Sequence, residues 1–252
     1  MNLNNLPVMG CHSCSRQLSL SEATVQDNHV VDGKFVCSCG QQYSIESGIV
    51  RAPRDSMPPG RDYGKYLSDY ISLEKAPFVD SISRGLEWLH SQMDFPSLNG
   101  RVLLELGTGI GFFLRYIYKD LPADCLYIAV DHNLEKLKFL KDSLEMAGCR
   151  KNILFICADF LHIPIQTRCA DVLLDLMGST SYCLTTQVLC CRRRTAMLKT
   201  NQVFTLAMWS LGISPTMASL PKSAAGTLHC QGFKILLRPW VTGGLQKKSW
   251  IP

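Results

Sequence analysis

The chain has 252 residues, 46% hydrophobic and 19% charged, a balance typical of a globular protein with one large domain and room for a small one. No apolar run is long enough to predict a membrane span, and no secretory signal is visible, so we expect a cytosolic protein with reduced thiols and no membrane partner. The net charge of +5 is unevenly distributed, because residues 1–175 hold all 21 acids and residues 176–252 hold nine bases and no acid.

The first predicted element along the chain is a cysteine-bearing, turn-rich segment. Its pairs Cys11/Cys14 and Cys37/Cys39 are separated by 22 residues, and short strands are predicted at DGKFVC and GQQYSI. Four thiolates on two such knuckles form a closed tetrahedral site for structural zinc, which would supply folding free energy that a small core lacks. His12 is an alternative ligand, because the second pair is C-x-C where C-x-x-C is usual. A redox role for the first pair is the other interpretation.

The run CSCGQQYSIESGIVRAP resembles the zinc ribbons of the tRNA-methyltransferase activator family and of rRNA guanine methyltransferases with an N-terminal ribbon. This resemblance implies a small zinc-ribbon domain over residues 1–53. A stretch rich in proline, glycine and charge follows, and it predicts a linker over residues 54–76. Three tyrosines recur there at helical spacing, either packing between domains or forming a lid over a ligand: Tyr63, Tyr66 and Tyr70.

From residue 77 onward, helical and strand patterns alternate. The runs RVLLEL, CLYIAV, ILFICA and DVLLDL predict buried strands, with helices expected at 111–120 and 133–147; QVFTLAMWS, FKILLRPW and LQKKSW are weaker strand patterns. This alternation predicts an α/β fold with a doubly wound, Rossmann-like, mostly parallel sheet over residues 77–252. An amphipathic helix is predicted before the first strand from apolar residues spaced by three and four: Phe78, Ile82, Leu86, Leu89 and Met93.

The first of these strands ends in ELGTGIG, where an acid precedes three glycines at alternate positions. Gly107, Gly109 and Gly111 permit positive φ and let a ligand lie against bare backbone at a helix start, although a tight turn without ligand is the alternative. Glu105 would repel a pyrophosphate and suits a ligand that carries an ammonium and a sulfonium. An NAD-dependent oxidoreductase fits less well, because Phe112 stands where G-x-G-x-x-G requires glycine.

The run ELGTGIG resembles the first motif of the class I S-adenosylmethionine-dependent methyltransferases, which is an acid, any residue and then glycines at alternate positions. Further matches follow in register over residues 77–182, at YIAVDHN, FICADF and ADVLLDLMGSTSY. The resemblance implies the fold of that family and S-adenosylmethionine as methyl donor. It also implies that Asp131 accepts the ribose hydroxyls, that Asp159 meets the adenine amino group and that Phe160 lines the ring.

The resemblance also implies how the reaction proceeds, by in-line displacement at the sulfonium methyl, with positioning and exclusion of water more important than acid–base chemistry. Asp175 and Tyr182 are the catalytic candidates, because they are the polar groups nearest to the expected methyl, and no general base is assigned. The methyl acceptor stays open between a small molecule and RNA. The donor-binding set comprises Glu105, Gly107, Thr108, Gly109, Gly111, Asp131, His132, Asp159, Phe160 and Asp175.

The tail, residues 176–252, differs from the rest of the chain. LKTNQVFTLAMW lies where the family has a Leu-Lys-Pro-Gly-Gly turn, and the proline and both glycines are missing; GISPTMASLPKSAAGTLHC is expected to be a connection. With a net charge of +9, the tail is interpreted either as a basic face for nucleic acid or as an altered segment. In the second case the protein is a degenerate methyltransferase or a non-catalytic scaffold that binds the donor. The oligomeric state is not predicted.

Overall fold

The structure is a computed structural model that describes residues 1–53, 86–87 and 89–175 and the backbone of three later strands. The predictions for the linker and its tyrosines, for the start of the first helix, for Tyr182 and for the strand LQKKSW fall outside these residues. Within the described part of the chain, no helix is both long enough and apolar enough to cross a bilayer.

The N-terminal segment forms a 3₁₀ helix and an antiparallel meander of four strands. The 3₁₀ helix at Leu3–Val8 precedes β1 (Ser19–Gln26), β2 (His29–Val36), β3 (Gln42–Glu46) and β4 (Ile49–Arg51). The sequence patterns predicted β2 and β3. They missed β1 because none of its residues is buried, so it lacks the apolar alternation that marks a half-buried strand.

The second part of the chain builds a parallel sheet from five strands. These are β5 (Val102–Leu106), β6 (Leu126–Asp131), β7 (Asn152–Cys157), β8 (Val172–Asp175) and β9 (Val203–Leu206). Their spatial order is β7-β6-β5-β8-β9, and every neighbouring pair is parallel. Counted along this part of the chain the order is 3-2-1-4-5, so the predicted doubly wound sheet is confirmed and the switch point lies between β5 and β8.

The described residues include two α-helices at the predicted places, α1 (Phe112–Ile117) after β5 and α2 (Leu134–Met146) after β6. Leu86 and Leu89 of the earlier predicted helix are also helical, and Leu89 is buried.

The far edge of the sheet carries two more strands, β10 (Gly226–Cys230) and β11 (Phe233–Leu237). β11 pairs in parallel with β9, and β10 pairs antiparallel with β11. The expectation that GISPTMASLPKSAAGTLHC is only a connection is therefore wrong for its last five residues, which form β10.

In the part of the chain that the structure describes, the N-terminal strands and the α/β strands belong to one sheet of eleven strands. β4 pairs in parallel with β7, with Val50 opposite Ile156, and the Ala52 N–H donates to the Cys157 carbonyl at 2.9 Å. The two parts also share a hydrophobic core. Burial of apolar surface between them stabilises both. One hydrophobic cluster combines residues from each part, among them Met9, Phe35, Tyr43, Leu104, Val130, Ile156, Phe160 and Ile163.

Candidate functional site

The carboxyl ends of the parallel strands bring the predicted donor-binding residues to one edge of the sheet. The register places Leu106 beside Val130 and Asp175, and Asp131 beside Cys157. This edge also holds the switch point, where ligands bind in doubly wound folds. The described residues that it collects from the predicted set are Glu105, Gly107, Thr108, Gly109, Gly111, Asp131, His132, Asp159, Phe160 and Asp175.

The turn after β5 is built on left-handed glycines. Gly107, Gly109 and Gly111 have φ of 70°, 59° and 74°, and the Gly107 N–H donates to the Val130 carbonyl at 2.8 Å. A Cβ on Gly111 would lie 2.2 Å from Leu140 Cδ1, so packing of α1 against α2 requires this glycine. A Cβ on Gly109 would meet nothing closer than the Gly107 carbonyl oxygen at 4.0 Å. Gly109 therefore leaves open backbone against which a ligand can lie.

Glu105 is a buried acid at the end of β5, with only 2% of its surface exposed. The hydroxyls of Thr108 and Tyr127 both donate to its Oε2, the latter at 2.7 Å. The pKa of Glu105 is raised to about 7, chiefly because burial penalises the ionised form; the two hydrogen bonds lower it, and the negative charges of Asp131 and Asp175 act in the same direction as burial. A bound cation would favour the ionised form. Sequence patterns missed Tyr127, although it is the one hydroxyl in the run CLYIAV.

Asp131 ends β6 with its carboxylate held by backbone donors. Gly109 N–H donates to Oδ2 at 2.9 Å, and Asn133 N–H donates to Oδ1 at 2.8 Å. The ring of His132 lies beside it, with Nδ1 3.5 Å from Oδ1. Because each carboxylate oxygen has a second lone pair, Asp131 can still accept the two hydroxyls of a ribose.

The loop after β7 carries the next acid and the aromatic residue. Asp159 Oδ1 accepts the Leu161 N–H at 2.7 Å, and the Asp159 carbonyl accepts the His162 N–H at 2.9 Å. Phe160 is 4% exposed and packs in the cluster shared with the N-terminal segment. The Ala158 N–H donates to the Asp131 carbonyl at 3.0 Å, so a hydrogen bond ties this loop to the end of β6.

These groups together fit S-adenosylmethionine. Glu105, Asp131, Asp159 and Asp175 give the edge a negative character, and Asp175 is 1% exposed at the end of β8. Carboxylates beside open glycine backbone suit a ligand with cationic groups and hydroxyls, and they disfavour a pyrophosphate. Tyr182, the other catalytic candidate, lies outside the described residues.

The four cysteines form a second candidate site. Their sulfur atoms all lie within 4.8 Å of one another. The Sγ–Sγ distances are 3.6 Å for Cys11 and Cys39 and 3.4 Å for Cys14 and Cys37. Tetrahedral zinc with bonds of about 2.3 Å requires sulfur separations of about 3.8 Å, so the cluster fits this ion after small shifts of the sulfur atoms. The C-x-C spacing of the second pair is compatible with such a site.

A tyrosine and a histidine lie beside the cysteine cluster. The Tyr43 hydroxyl donates to Cys11 Sγ at 3.4 Å and accepts the His12 N–H at 3.1 Å. His12 Nδ1 lies 2.7 Å from the same hydroxyl, so the ring that the sequence offers as an alternative ligand is directed to Tyr43. Hydrogen bonds to a ligating group hold it in position. Nothing in the local sequence pattern marks Tyr43 for this contact.

Comparison with known proteins gives likeness only to solved structures. No protein-family model matches the chain, and no curated protein matches it in sequence. The chain is similar to a SAM-dependent methyltransferase from Aquifex aeolicus, with 18% identity and a TM-score of 0.39 over 45% of this chain and 57% of that one. It is also similar to a candidate S-adenosyl-L-methionine-dependent methyltransferase from Methanococcus maripaludis, with 15% identity and a TM-score of 0.47 over 60% of this chain and 67% of that one. A third similar structure is that of the YcgJ protein from Bacillus subtilis, with 14% identity and a TM-score of 0.40 over 47% of each chain.

The chain spans 57% of the first of these structures and 47% of the third. With identities of 14–18%, the likeness concerns the fold, so an activity for this chain has to be argued from its own site.

Proposed function

We propose that the protein is an S-adenosylmethionine-dependent methyltransferase with a structural zinc ribbon. The observation that carries this proposal is the sheet edge at the switch point, where open backbone at Gly109 lies among buried acids. Glu105 and Asp131 are 2% and 3% exposed there, and Asp131 is already oriented by two backbone N–H groups. Preorganised acids suit a ligand with an ammonium, a sulfonium and a ribose.

Each residue has a definite task in this proposal. Asp131 accepts the ribose hydroxyls, Asp159 accepts the adenine amino group, and the buried ring of Phe160 lines the adenine. Glu105 fixes the turn through Thr108 and provides negative charge for the cationic end of the ligand. The donor, when bound, supplies an electrophilic methyl group, and the chain contributes its orientation and the exclusion of water.

Asp175 is the described polar group proposed to lie nearest to the acceptor side, because it ends the strand beyond the switch point. The zinc ion would be held by the four cysteines and would stabilise the ribbon without taking part in the transfer, since a closed four-sulfur site leaves no open coordination position. RNA as the acceptor and a cytosolic location stay predictions from the sequence.

A non-catalytic scaffold that binds the donor is the second candidate. It is favoured by the composition of residues 176–252, which hold nine bases and no acid and lack the family's turn before the fifth strand. An NAD-dependent oxidoreductase is the least supported, because the carboxylate of Glu105 beneath the glycine turn would repel a pyrophosphate.

Calorimetry with S-adenosylmethionine, S-adenosylhomocysteine and NAD tests the donor site. We expect the first two to bind and Asp131→Ala to weaken both by about 10-fold or more, since hydrogen bonds to a charged group contribute about 1.5–3 kcal/mol each. Asp131→Asn keeps the shape of the side chain and tests whether the charge is needed. Asp124→Ala removes an exposed acid elsewhere and should change nothing. Binding of NAD alone would refute the proposal.

Turnover separates an enzyme from a scaffold. The metal-loaded protein is incubated with the donor and with a panel of RNA and small-molecule acceptors, and S-adenosylhomocysteine is measured as the product. Production that depends on an acceptor and is lost in Asp131→Ala supports the enzyme. Tight donor binding with no product from any acceptor class would favour the scaffold.

A further inference from the structure

The segment that leads into the first cysteine pair is hydrogen-bonded along the loop that carries the adenine-side acid. This loop, residues 159–166, is called the adenine-side loop. The Gly10 N–H donates to the Pro164 carbonyl at 3.1 Å, and the Gln166 N–H donates to the Val8 carbonyl at 2.8 Å. The two segments therefore run as a pair of backbones, next to the metal site at one end and next to the donor site at the other.

The two backbones approach so closely that a side chain would not fit between them. A Cβ on Gly10 would lie 2.9 Å from both Cα and N of Gln166, and real Cβ atoms are not found at that distance. The Gln166 side chain also donates to the Met9 carbonyl at 3.1 Å and to the Gln17 Oε1 at 2.8 Å. The end of the adenine-side loop is thus held on two sides by the N-terminal segment.

A chain of side-chain contacts continues from the cysteines to the acid. The Tyr43 hydroxyl contacts both Cys11 Sγ and His12 Nδ1. The His12 ring meets the His162 ring edge to face, with centroids 4.9 Å apart. His162 Nδ1 lies 3.7 Å from Asp159 Oδ1. Four consecutive contacts therefore connect a predicted zinc ligand to the residue assigned to the adenine amino group.

Packing reinforces these contacts. Phe160, Ile163 and Ile165 of the adenine-side loop are all less than 5% exposed, and they belong to the cluster that contains Cys11 and Cys37. If the two knuckles were released, one side of this loop would lose both its apolar partners and its hydrogen bonds. The conformation of Asp159 and Phe160 would then be less well determined, because buried groups in a shared core are not stable independently.

We propose that the metal-bound cysteine cluster is the support that holds the adenine-side loop in its donor-binding conformation, so that donor affinity depends on metal occupancy. His12 and His162 are positioning residues for Asp159, and the inference rests on the proposed donor site. Thermodynamic linkage requires the reverse effect as well: the donor tightens metal binding by the same factor by which the metal tightens donor binding.

The first experiment measures both sides of this linkage on the full chain. The affinity for S-adenosylhomocysteine is determined by calorimetry with one zinc per chain and after removal of the metal by a chelator. We expect at least about a 5-fold loss without metal, and the same factor in zinc affinity when a competing chelator is titrated with and without S-adenosylhomocysteine. Equal donor affinities overturn the inference alone. No binding by the zinc-loaded wild type overturns the proposed function with it.

A second variant covers the case in which the metal-free chain does not fold. His12→Ala leaves the four cysteines in place, and His29→Ala is its matched control, an exposed histidine of the same ribbon whose Nδ1 meets only the Asp27 carbonyl among the described contacts. We expect His12→Ala to retain one zinc and to lose about 5-fold in affinity for S-adenosylhomocysteine, while His29→Ala loses nothing.

A ligand with a different base tests whether His12 positions Asp159 or only stabilises the loop as a whole. S-inosylhomocysteine lacks the 6-amino group, so its affinity should fall less than that of S-adenosylhomocysteine in His12→Ala. The variant should therefore show a smaller preference for adenine than the wild type. An unchanged preference, or an equal loss in His12→Ala and His29→Ala, overturns the role of His12.

Discussion

Replacing Glu105 with glutamine should make the donor-free protein more stable at neutral and alkaline pH and should weaken donor binding. Glu105 is 2% exposed, and burial raises its pKa from an ordinary 4.5 to about 7, with the charges of Asp131 and Asp175 adding to the effect. Glutamine has nearly the same shape, and its oxygen can accept the hydroxyls of Thr108 and Tyr127. The substitution therefore removes the ionisation while it keeps the hydrogen bonds.

The direction in which stability changes with pH follows from this increase in pKa. The unfolded chain releases the proton of Glu105 near pH 4.5, whereas the folded chain keeps it until about pH 7. Stability is therefore lost as the pH rises through this window, and it stays at the lower level above the window. The difference between the two pKa values corresponds to about 3 kcal/mol at 1.36 kcal/mol for each tenfold change in proton concentration.

Urea unfolding at pH 5, 6, 7 and 8 measures the effect. The free energy of unfolding of Glu105→Gln minus that of the wild type should grow from about 1 kcal/mol at pH 5 to about 3 kcal/mol at pH 8. Glu87→Gln, which changes an exposed glutamate, should give a profile parallel to the wild type. Parallel profiles for Glu105→Gln as well would refute the argument that burial disfavours the ionised form of this acid.

The donor reverses the preference, because a cationic ligand favours the ionised acid. We expect Glu105→Gln to bind S-adenosylmethionine about 10-fold more weakly, since an interaction with a charged group contributes about 1.5–3 kcal/mol. Tighter binding by the variant would contradict the assignment of Glu105 to the donor site.

Three further predictions concern the turn, the metal and the tail. Gly111→Ala should lower the free energy of unfolding in urea by about 1–3 kcal/mol more than Gly109→Ala does, because its Cβ would overlap Leu140. Gly109→Ala should mainly weaken donor binding. A larger loss of stability in Gly109→Ala than in Gly111→Ala would contradict the described turn. Cys14→Ser should reduce zinc to less than one per chain by elemental analysis, whereas Cys149→Ser, outside the cluster, should not; equal zinc in both would exclude the four-sulfur site. The chain should bind heparin with an affinity that falls steeply as salt rises, because its tail has a net charge of +9; salt-independent retention would contradict this.

Sequence alone predicted the features whose signal is local. The apolar runs marked β5 to β8 because buried parallel strands are nearly continuous in hydrophobic residues. The spacing of Gly107, Gly109 and Gly111 predicted the turn, because each needs a positive φ that only glycine adopts readily. The two cysteine pairs predicted a cluster because two close pairs at this spacing are the pattern of a four-sulfur zinc site.

The tertiary structure decided everything that depends on partners distant in sequence. Apolar periodicity does not state which strands are neighbours, so it could not predict that β4 pairs with β7 and joins the N-terminal meander to the main sheet. It missed β1 and β10, since an exposed strand carries no alternation and a short one is easily taken for a connection.

The chemistry of the site depends on the same distant contacts. The pKa of Glu105 results from burial and from Tyr127, which lies 22 residues further along the chain. His12 meets His162 although 150 positions separate them. A pattern of neighbours along the chain contains no information about desolvation or about side chains that only folding brings together. For that reason the sequence could identify most of the candidate residues, whereas the raised pKa of Glu105 and the contacts of the site with the N-terminal segment required the fold.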